Sequence, residues 1–469
     1  MTPTQVAAAT GGSLLPGTPA GPDAPTVTGA VIDSRLAGPG TLFVGVPGEH
    51  ADGADYAPAA VAAGAPFVLV GHPVGAPGVL VPDAVAALGA LARTTLAGLR
   101  QGQEPPAVLA ITGSVGKTTA KDLLGRIMAA QGNTVVPAGS FNNHLGLPLT
   151  VLRADQATRY LVLEMGANHV GEIAALTVIA PPDVAVVLGV TAAHLGEFGS
   201  IEAIAATKAE LVQGLAAGGM AVLNADDPLV MAMAAQAAGK VVTFGLGPGA
   251  DFRAEDITTG PGGYLALTIA GQPLQTQLVG EHLAINVAAA VAAAATAGVD
   301  PAKAVQALRG AGPASPGRMV VKPLSAGATL VDDSYNANPA SVEGALRATA
   351  AMAKAAGHEA WAVLSEMLEL GEAAPELHRA VGQLVAELGY ARLFVVGEGA
   401  RPVLSGAAGA GMAPGAVEFW PEAEGLAAYL AGALAQAAGQ EHIVIKGSHG
   451  TGLWRVAGQL ADLAGEGNA

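Results

Sequence analysis

The sequence predicts an α/β fold in three domains. Its 469 residues, at roughly 150 per domain, suggest about three units. From residue 107 onward, short apolar runs alternate with helical patterns, as expected of mainly parallel sheets covered by helices. Two Gly/Pro-rich breaks, 101–106 (QGQEPP) and 310–318 (GAGPASPGR), divide the chain. The expected boundaries are therefore 1–103, 104–313 and 314–469.

In the first domain, strand-like runs lie at 30–32, 42–46 and 67–70, with a helical pattern around 56–63 between the last two. Pro39-Gly40 and Pro47-Gly48 mark turns, and a helical pattern at 85–99 leads into the first break. This is a small α/β unit. The central domain opens with a strand at 108–111 and a helix at 117–131, followed by strands at 161–165, 184–188, 220–223 and 241–244. A mainly parallel sheet with helices on both faces is expected there. The Ala-rich stretch 287–298 is too short to span a bilayer and reads as a close-packed buried helix. Strands at 329–332, 361–364, 393–396 and 443–445 again alternate with helices, giving a third, Rossmann-like α/β domain.

The sharpest chemical signal is Ile111-Thr112-Gly113-Ser114-Val115-Gly116-Lys117-Thr118-Thr119, a strand feeding a glycine loop that opens a helix. Such a loop turns backbone N–H groups inward around phosphates, and the helix N-terminus adds partial positive charge. Lys117 would reach the β/γ-phosphates and the Thr118 hydroxyl would ligate Mg²⁺. The longer P-loop pattern has Gly where Ile111 stands. Glu164, closing the apolar strand 160–164, sits where P-loop enzymes place a Mg²⁺ carboxylate. No Asn-Lys-x-Asp motif of a GTPase occurs, nor an HRD or DFG motif of a protein kinase. Polar clusters at 140–144, 164–169 and 332–339 follow apolar strands, which fits a ligand site along the carboxyl edge of a sheet.

Composition narrows the partners. Lys+Arg is 22 against Asp+Glu 38, a formal charge of −16, which argues against nucleic acid and against a polybasic membrane surface. The absence of cysteine excludes disulfides, thiol catalysis and cysteine-ligated metals. The first residues lack a basic segment followed by a continuous apolar one, and no run of 18 or more strongly apolar residues occurs. A cytoplasmic protein without membrane insertion is expected.

Together these segments resemble the Mur ligase family, the amide ligases of peptidoglycan synthesis. The resemblance runs from Asp33 to about Leu453. The TGxxGKTT loop is common to Mur ligases and folylpolyglutamate synthases. FNNHLGLPLT at 141–150, EMGANHVGEI at 164–173, AAHLGEFGS at 192–200, DDSYNANP at 332–339 and EMLELG at 366–371 are more particular. They resemble the member that adds D-alanyl-D-alanine to UDP-N-acetylmuramoyl-tripeptide. The resemblance implies ATP-driven ligation through an acyl phosphate, two Mg²⁺ ions, small-molecule substrates and a monomer. The rival readings are another amino-acid ligase of the superfamily and a non-catalytic nucleotide-binding module.

Site roles follow from the resemblance, position by position. Ser34 and Arg35 would hold the UDP end of the substrate. Gly113, Ser114, Val115, Gly116, Lys117, Thr118 and Thr119 would hold ATP, with Asn286 at the adenine, Asp333 at the ribose and Arg318 at the phosphates. Thr118, Glu164, His194 and a carbamylated Lys208 would be metal ligands. Asn142, Asn143, Ala167, Asn168, Tyr335, Asn336 and Asn338 would line the substrate sites. Lys117, Glu164, His194, Lys208 and Arg318 form the implied catalytic set. The chain also departs from the family: His449 stands where a KGSR motif has Arg, and Leu453-Trp454 where Met-Glu is usual. Ser140 replaces an Asn, Ser365 a Gly, and His282-Leu283 a His-Asn pair.

Overall fold

The structure, a computed structural model, describes residues 1–48, 50–191, 195–324, 327–437 and 440–465. They form three sheets. The first has five strands in the order Ser13–Leu14, Gly78–Leu80, Val68–Val70, Thr41–Gly45 and Gly29–Val31, parallel except at Ser13–Leu14. Helix Ala84–Leu99 begins where the Asp83 carboxylate accepts hydrogen bonds from the N–H groups of Val85 and Ala86. Its Leu88, Leu91 and Leu96 enter a core shared with Leu147 and Val151 of the central domain. Just beyond it, the Arg100 guanidinium donates to the Pro181 carbonyl at 2.7 Å and to Asp183 at 3.1 Å, tying the first break to the central sheet.

The central sheet has nine strands. Their order is Gln272–Val279, Tyr264–Ile269, Phe252–Thr259, Val241–Gly245, Met220–Asn224, Val184–Val187, Ala107–Thr112, Tyr160–Glu164 and Thr134–Val135. The strands from Phe252–Thr259 through Thr134–Val135 are parallel, as the sequence predicts. The strands from Phe252 to Val279 form an antiparallel trio that sequence reading missed. In Tyr264–Ile269, for example, Leu265, Leu267 and Ile269 are buried while their neighbours face outward. Such half-solvated alternation leaves no long continuous apolar run in the sequence. Helix Ala284–Thr296 is buried along nearly its whole length, packing the P-loop helix Lys117–Ala129 against the sheet. Alanine at most positions permits that close approach.

The third sheet runs Val320–Pro323, Thr329–Asp332, Glu441–Lys446, Glu359–Ser365, Arg392–Val396 and Val417–Trp420, antiparallel only at Val320–Pro323. Helix Pro339–Ala356 is opened by an Asn338–Ser341 capping box and ended by Gly357 in the left-handed conformation. The third domain meets the central one at a seam. The Gly196 N–H donates to the Glu369 carbonyl at 3.2 Å, and Gly196 and Gly371 stand backbone to backbone. Among the described residues, no helix is long and apolar enough to cross a membrane.

Candidate active site

Strand Ala107–Thr112 delivers the glycine loop to the N-terminus of helix Lys117–Ala129. Gly116 has a φ of 81°, and any Cβ there would run into the Asn286 carboxamide. The Ser114 N–H donates to the Gly189 carbonyl at 2.9 Å, fastening the loop to the neighbouring strand's end. Lys117 folds back so that its Nζ donates to the Gly113 carbonyl at 2.8 Å. Burial holds the Lys117 ammonium below its ordinary pKa; Glu164 opposes that shift and Arg318 adds to it.

Next to Lys117, the Thr118 hydroxyl donates to Glu164 Oε2 at 3.0 Å, and Asn142 Nδ2 donates to Glu164 Oε1 at 2.7 Å. Glu164 is 1 % exposed, so both carboxylate oxygens are directed into the site rather than into bulk water. Arg318 reaches across from the third domain, its Nη2 3.4 Å from Thr118 Oγ1 and its guanidinium 4.4 Å above the Tyr335 ring. The Tyr335 and Ser140 hydroxyls hydrogen-bond across the same gap. Hard oxygen donors from Thr118 and Glu164 suit Mg²⁺, although no group of three His, Asp or Glu side chains converges among the described residues.

The P-loop stands between two cavities. The first, about 480 Å³, is walled by central-domain Asn142, Asn143 and Asn168 and by third-domain Tyr335, Asn336 and His449. The second, about 330 Å³, is lined by apolar Leu123, Leu188 and Ile285 with Asn286, Asp333 and Lys446 among them. Val115, Gly116, Thr119 and Arg318 border both. Such a pair suits a nucleotide whose base enters the apolar side and whose terminal phosphate emerges on the polar side. Asp333 is held firmly: it accepts from the Met319 N–H at 3.1 Å and from the buried Lys446 ammonium, which also donates to the Asn336 carbonyl at 2.9 Å.

Most residues expected in the site line these cavities, Ala167 included. Some also have structural work. Asn143 Oδ1 accepts from the N–H groups of Leu145 and Gly146, and Asn338 caps its helix. Ser34 and Arg35 line neither cavity; Arg35 is exposed and pairs with Asp33, which holds the Asp33 carboxyl down at about 2. His194 lies outside the described residues. Lys208, on helix Ile201–Gln213, is buried and lines neither cavity, with no hydrogen-bond or ion-pair partner among the described residues. Burial, and then the nearby charge of Lys117, lower its pKa to about 7.

Sequence reading missed Lys121. It lies one helical turn after Lys117, 1 % exposed, and its Nζ donates to the carbonyls of Pro137 at 3.2 Å and Gly139 at 2.9 Å. It also pairs with Asp122 at 2.6 Å. These bonds hold the loop that carries Ser140, Asn142 and Asn143. The i, i+4 spacing from Lys117 was the available signal, since it places both lysines on one helix face.

The three-sheet fold, the P-loop and the two-sided cleft define an ATP-using ligase of the Mur type, and the chain belongs to the Mur ligase family. Family models match at residues 26–95 (Mur ligase family, catalytic domain), 111–294 (Mur ligase middle domain) and 317–449 (Mur ligase, glutamate ligase domain). The chain is similar to the UDP-N-acetylmuramoyl-tripeptide–D-alanyl-D-alanine ligases of Mycobacterium tuberculosis strain H37Rv (41 % identical, 88 % of each chain covered) and Mycobacterium leprae (38 % identical, 100 % of this chain and 99 % of that one). Among solved structures, MurF from Acinetobacter baumannii superposes with a TM-score of 0.84 at 28 % identity, covering 98 % of each chain. MurF ligase from Thermotoga maritima in complex with ADP gives 0.77 at 27 % identity, covering 93 % of this chain and 98 % of that one.

Proposed function

We propose that this chain joins D-alanyl-D-alanine to UDP-N-acetylmuramoyl-tripeptide, using ATP, in peptidoglycan precursor synthesis. The observation that carries this reading is the P-loop standing between an apolar cavity and a polar one, with Arg318 bordering both. Adenosine would enter beside Leu188 and Asn286, with its ribose at Asp333. The tripeptide carboxylate would enter beside Asn142 and Asn168. We assign 1–103 to the UDP-substrate domain, where Ser34 and Arg35 meet the UDP end, 104–313 to ATP, and 314–469 to the amine substrate. The proposed setting is cytoplasmic, with the chain acting as a monomer.

In the reaction, an oxygen of the tripeptide carboxylate attacks the γ-phosphorus, ADP leaves, and an acyl phosphate forms. The dipeptide amine then attacks the acyl carbon, loses its proton, and phosphate departs. The first step brings two anions together, and Lys117 and Arg318 stabilise the charge that develops on the transferred phosphoryl group. Thr118 and Glu164 would hold one Mg²⁺, and His194 with a carbamylated Lys208 a second. When bound, these ions supply further neutralisation of phosphate charge. Lys208 suits carbamylation because burial leaves much of its amine neutral near pH 7, and the neutral amine is the form that adds CO₂. Substrates held on different domains converge by domain closure. The test is ADP release with UDP-N-acetylmuramoyl-tripeptide, measured with and without D-alanyl-D-alanine. Turnover that needs both is expected; ATP hydrolysis indifferent to the dipeptide would refute the reading.

A further inference from the structure

The third-domain wall of the polar cavity carries a continuous stack of rings and cations. The Arg318 guanidinium lies 4.4 Å over Tyr335, whose ring is 5.2 Å from His449. His449 in turn stacks on Trp454 with 7° between the planes and 5.7 Å between centroids. Arg455 covers Trp454 at 4.8 Å. His449 is exposed to the cavity, and neither of its ring nitrogens has a partner among the described residues. A stacked imidazole is fixed in orientation, yet its edge keeps an N–H available in either tautomer.

Resting on the ligase reading above, we propose that His449 receives the carboxylate of the dipeptide amine substrate and so selects for a free C-terminus. A dipeptide that enters this cavity brings a carboxylate, which needs a donor away from the phosphates. Lys117 and Arg318 lie at the phosphate end, Lys117 bonded back to the Gly113 carbonyl and Arg318 to Thr118. Asn142 is committed to Glu164, and Asn338 to its helix N-terminus. On the third-domain wall the Asn336 carboxamide and His449 carry nitrogen donors with no partner among the described residues, and of the two only His449 is held in orientation by stacking on both sides. His144, on the central-domain wall, is the rival.

The test compares D-alanyl-D-alanine with its C-terminal amide as amine substrate, in the full chain and in His449→Phe, His449→Arg and His144→Phe. Phenylalanine keeps the stack and removes the N–H, whereas arginine restores a donor. The full chain should show a KM for the amide higher by about tenfold or more, the range of one hydrogen bond to a charged group. In His449→Phe the KM for the dipeptide should rise to that of the amide, with the KM for ATP unchanged. His449→Arg and His144→Phe should retain the preference. Preference surviving in His449→Phe, lost in His144→Phe instead, or absent from the full chain would overturn the proposal. Failure of the full chain to ligate the dipeptide at all would overturn the ligase reading and the proposal with it.

Discussion

Asn286, on the buried helix Ala284–Thr296, donates its side-chain N–H to the carbonyl of Gly116 at 2.9 Å. The two residues are 170 apart in sequence, so the P-loop's turn is braced by a helix that enters the fold long after it. The carboxamide also borders the apolar cavity. Expected at the adenine, Asn286 thus has a second task that no local pattern displays.

Asn286→Ala removes this brace. Loss of one such hydrogen bond costs about 1 kcal/mol, so the KM for ATP should rise roughly fivefold. Gly116→Ala should do far more, because it adds both a collision and a strained φ. Titration of ATP against ligation rate in the two variants checks the ordering.

Lys117→Ala should abolish ATP-dependent ligation, by about a thousandfold or more, as when a transition-state charge loses its partner. The melting temperature should stay level or rise, because burial of this ammonium is unfavourable to the fold. Calorimetry beside the kinetic assay separates the two effects; near-normal activity would sink the assignment.

The pH response should centre on Lys208. Its pKa falls from the usual lysine range to about 7 on folding. Between about pH 7 and pH 10 the unfolded chain therefore binds more protons at this site, and stability rises with pH across that window. In CO₂-free buffer, Lys208→Met should gain most over the parent chain below pH 7, and the gain should shrink as pH rises. With bicarbonate present, activity should climb from pH 6 to pH 8 as the neutral amine becomes available. Short-chain carboxylates should partly restore Lys208→Ala. Denaturant melts at several pH values, together with rescue assays, test both halves.

Lys121→Met should lower stability by about 1–3 kcal/mol, since it removes the buried donor to the Pro137 and Gly139 carbonyls and the ion-pair partner of Asp122, which keeps its hydrogen bond from the Ser315 hydroxyl. It should also reduce kcat/KM for the UDP-linked substrate more than for ATP, because the loop it holds carries Asn142 and Asn143. Equal losses for both substrates would point to a general structural role instead.

What the sequence made legible was what lies close together along it. The strand–loop–helix of Ala107–Ala129 is contiguous, and its glycines, lysine and threonines announce their chemistry without any tertiary information. Glu164 was readable because it closes an apolar strand. The buried helix Ala284–Thr296 was readable because a run of mostly small apolar residues has nowhere else to go. The stack from Arg318 to Trp454 was not legible, since its members come from separate segments and touch only once the third sheet has formed. Lys121 was hidden for a different reason. A lysine on a helix reads as solvated until the carbonyls of Pro137 and Gly139 are seen to enclose it.

At the seam between the second and third domains, Gly196 and Gly371 leave no room for a side chain. A Cβ on Gly196 would lie 2.9 Å from the Gly371 nitrogen, and one on Gly371 would lie 3.0 Å from the Gly196 Cα. The two domains approach this closely here only because neither residue carries a side chain. One added carbon would act as a doorstop, propping Arg318 and His449 away from the phosphate loop while leaving every catalytic side chain intact. Such a wedge would divorce nucleotide capture from bond formation, and the smallest residue in the chain would become its throttle.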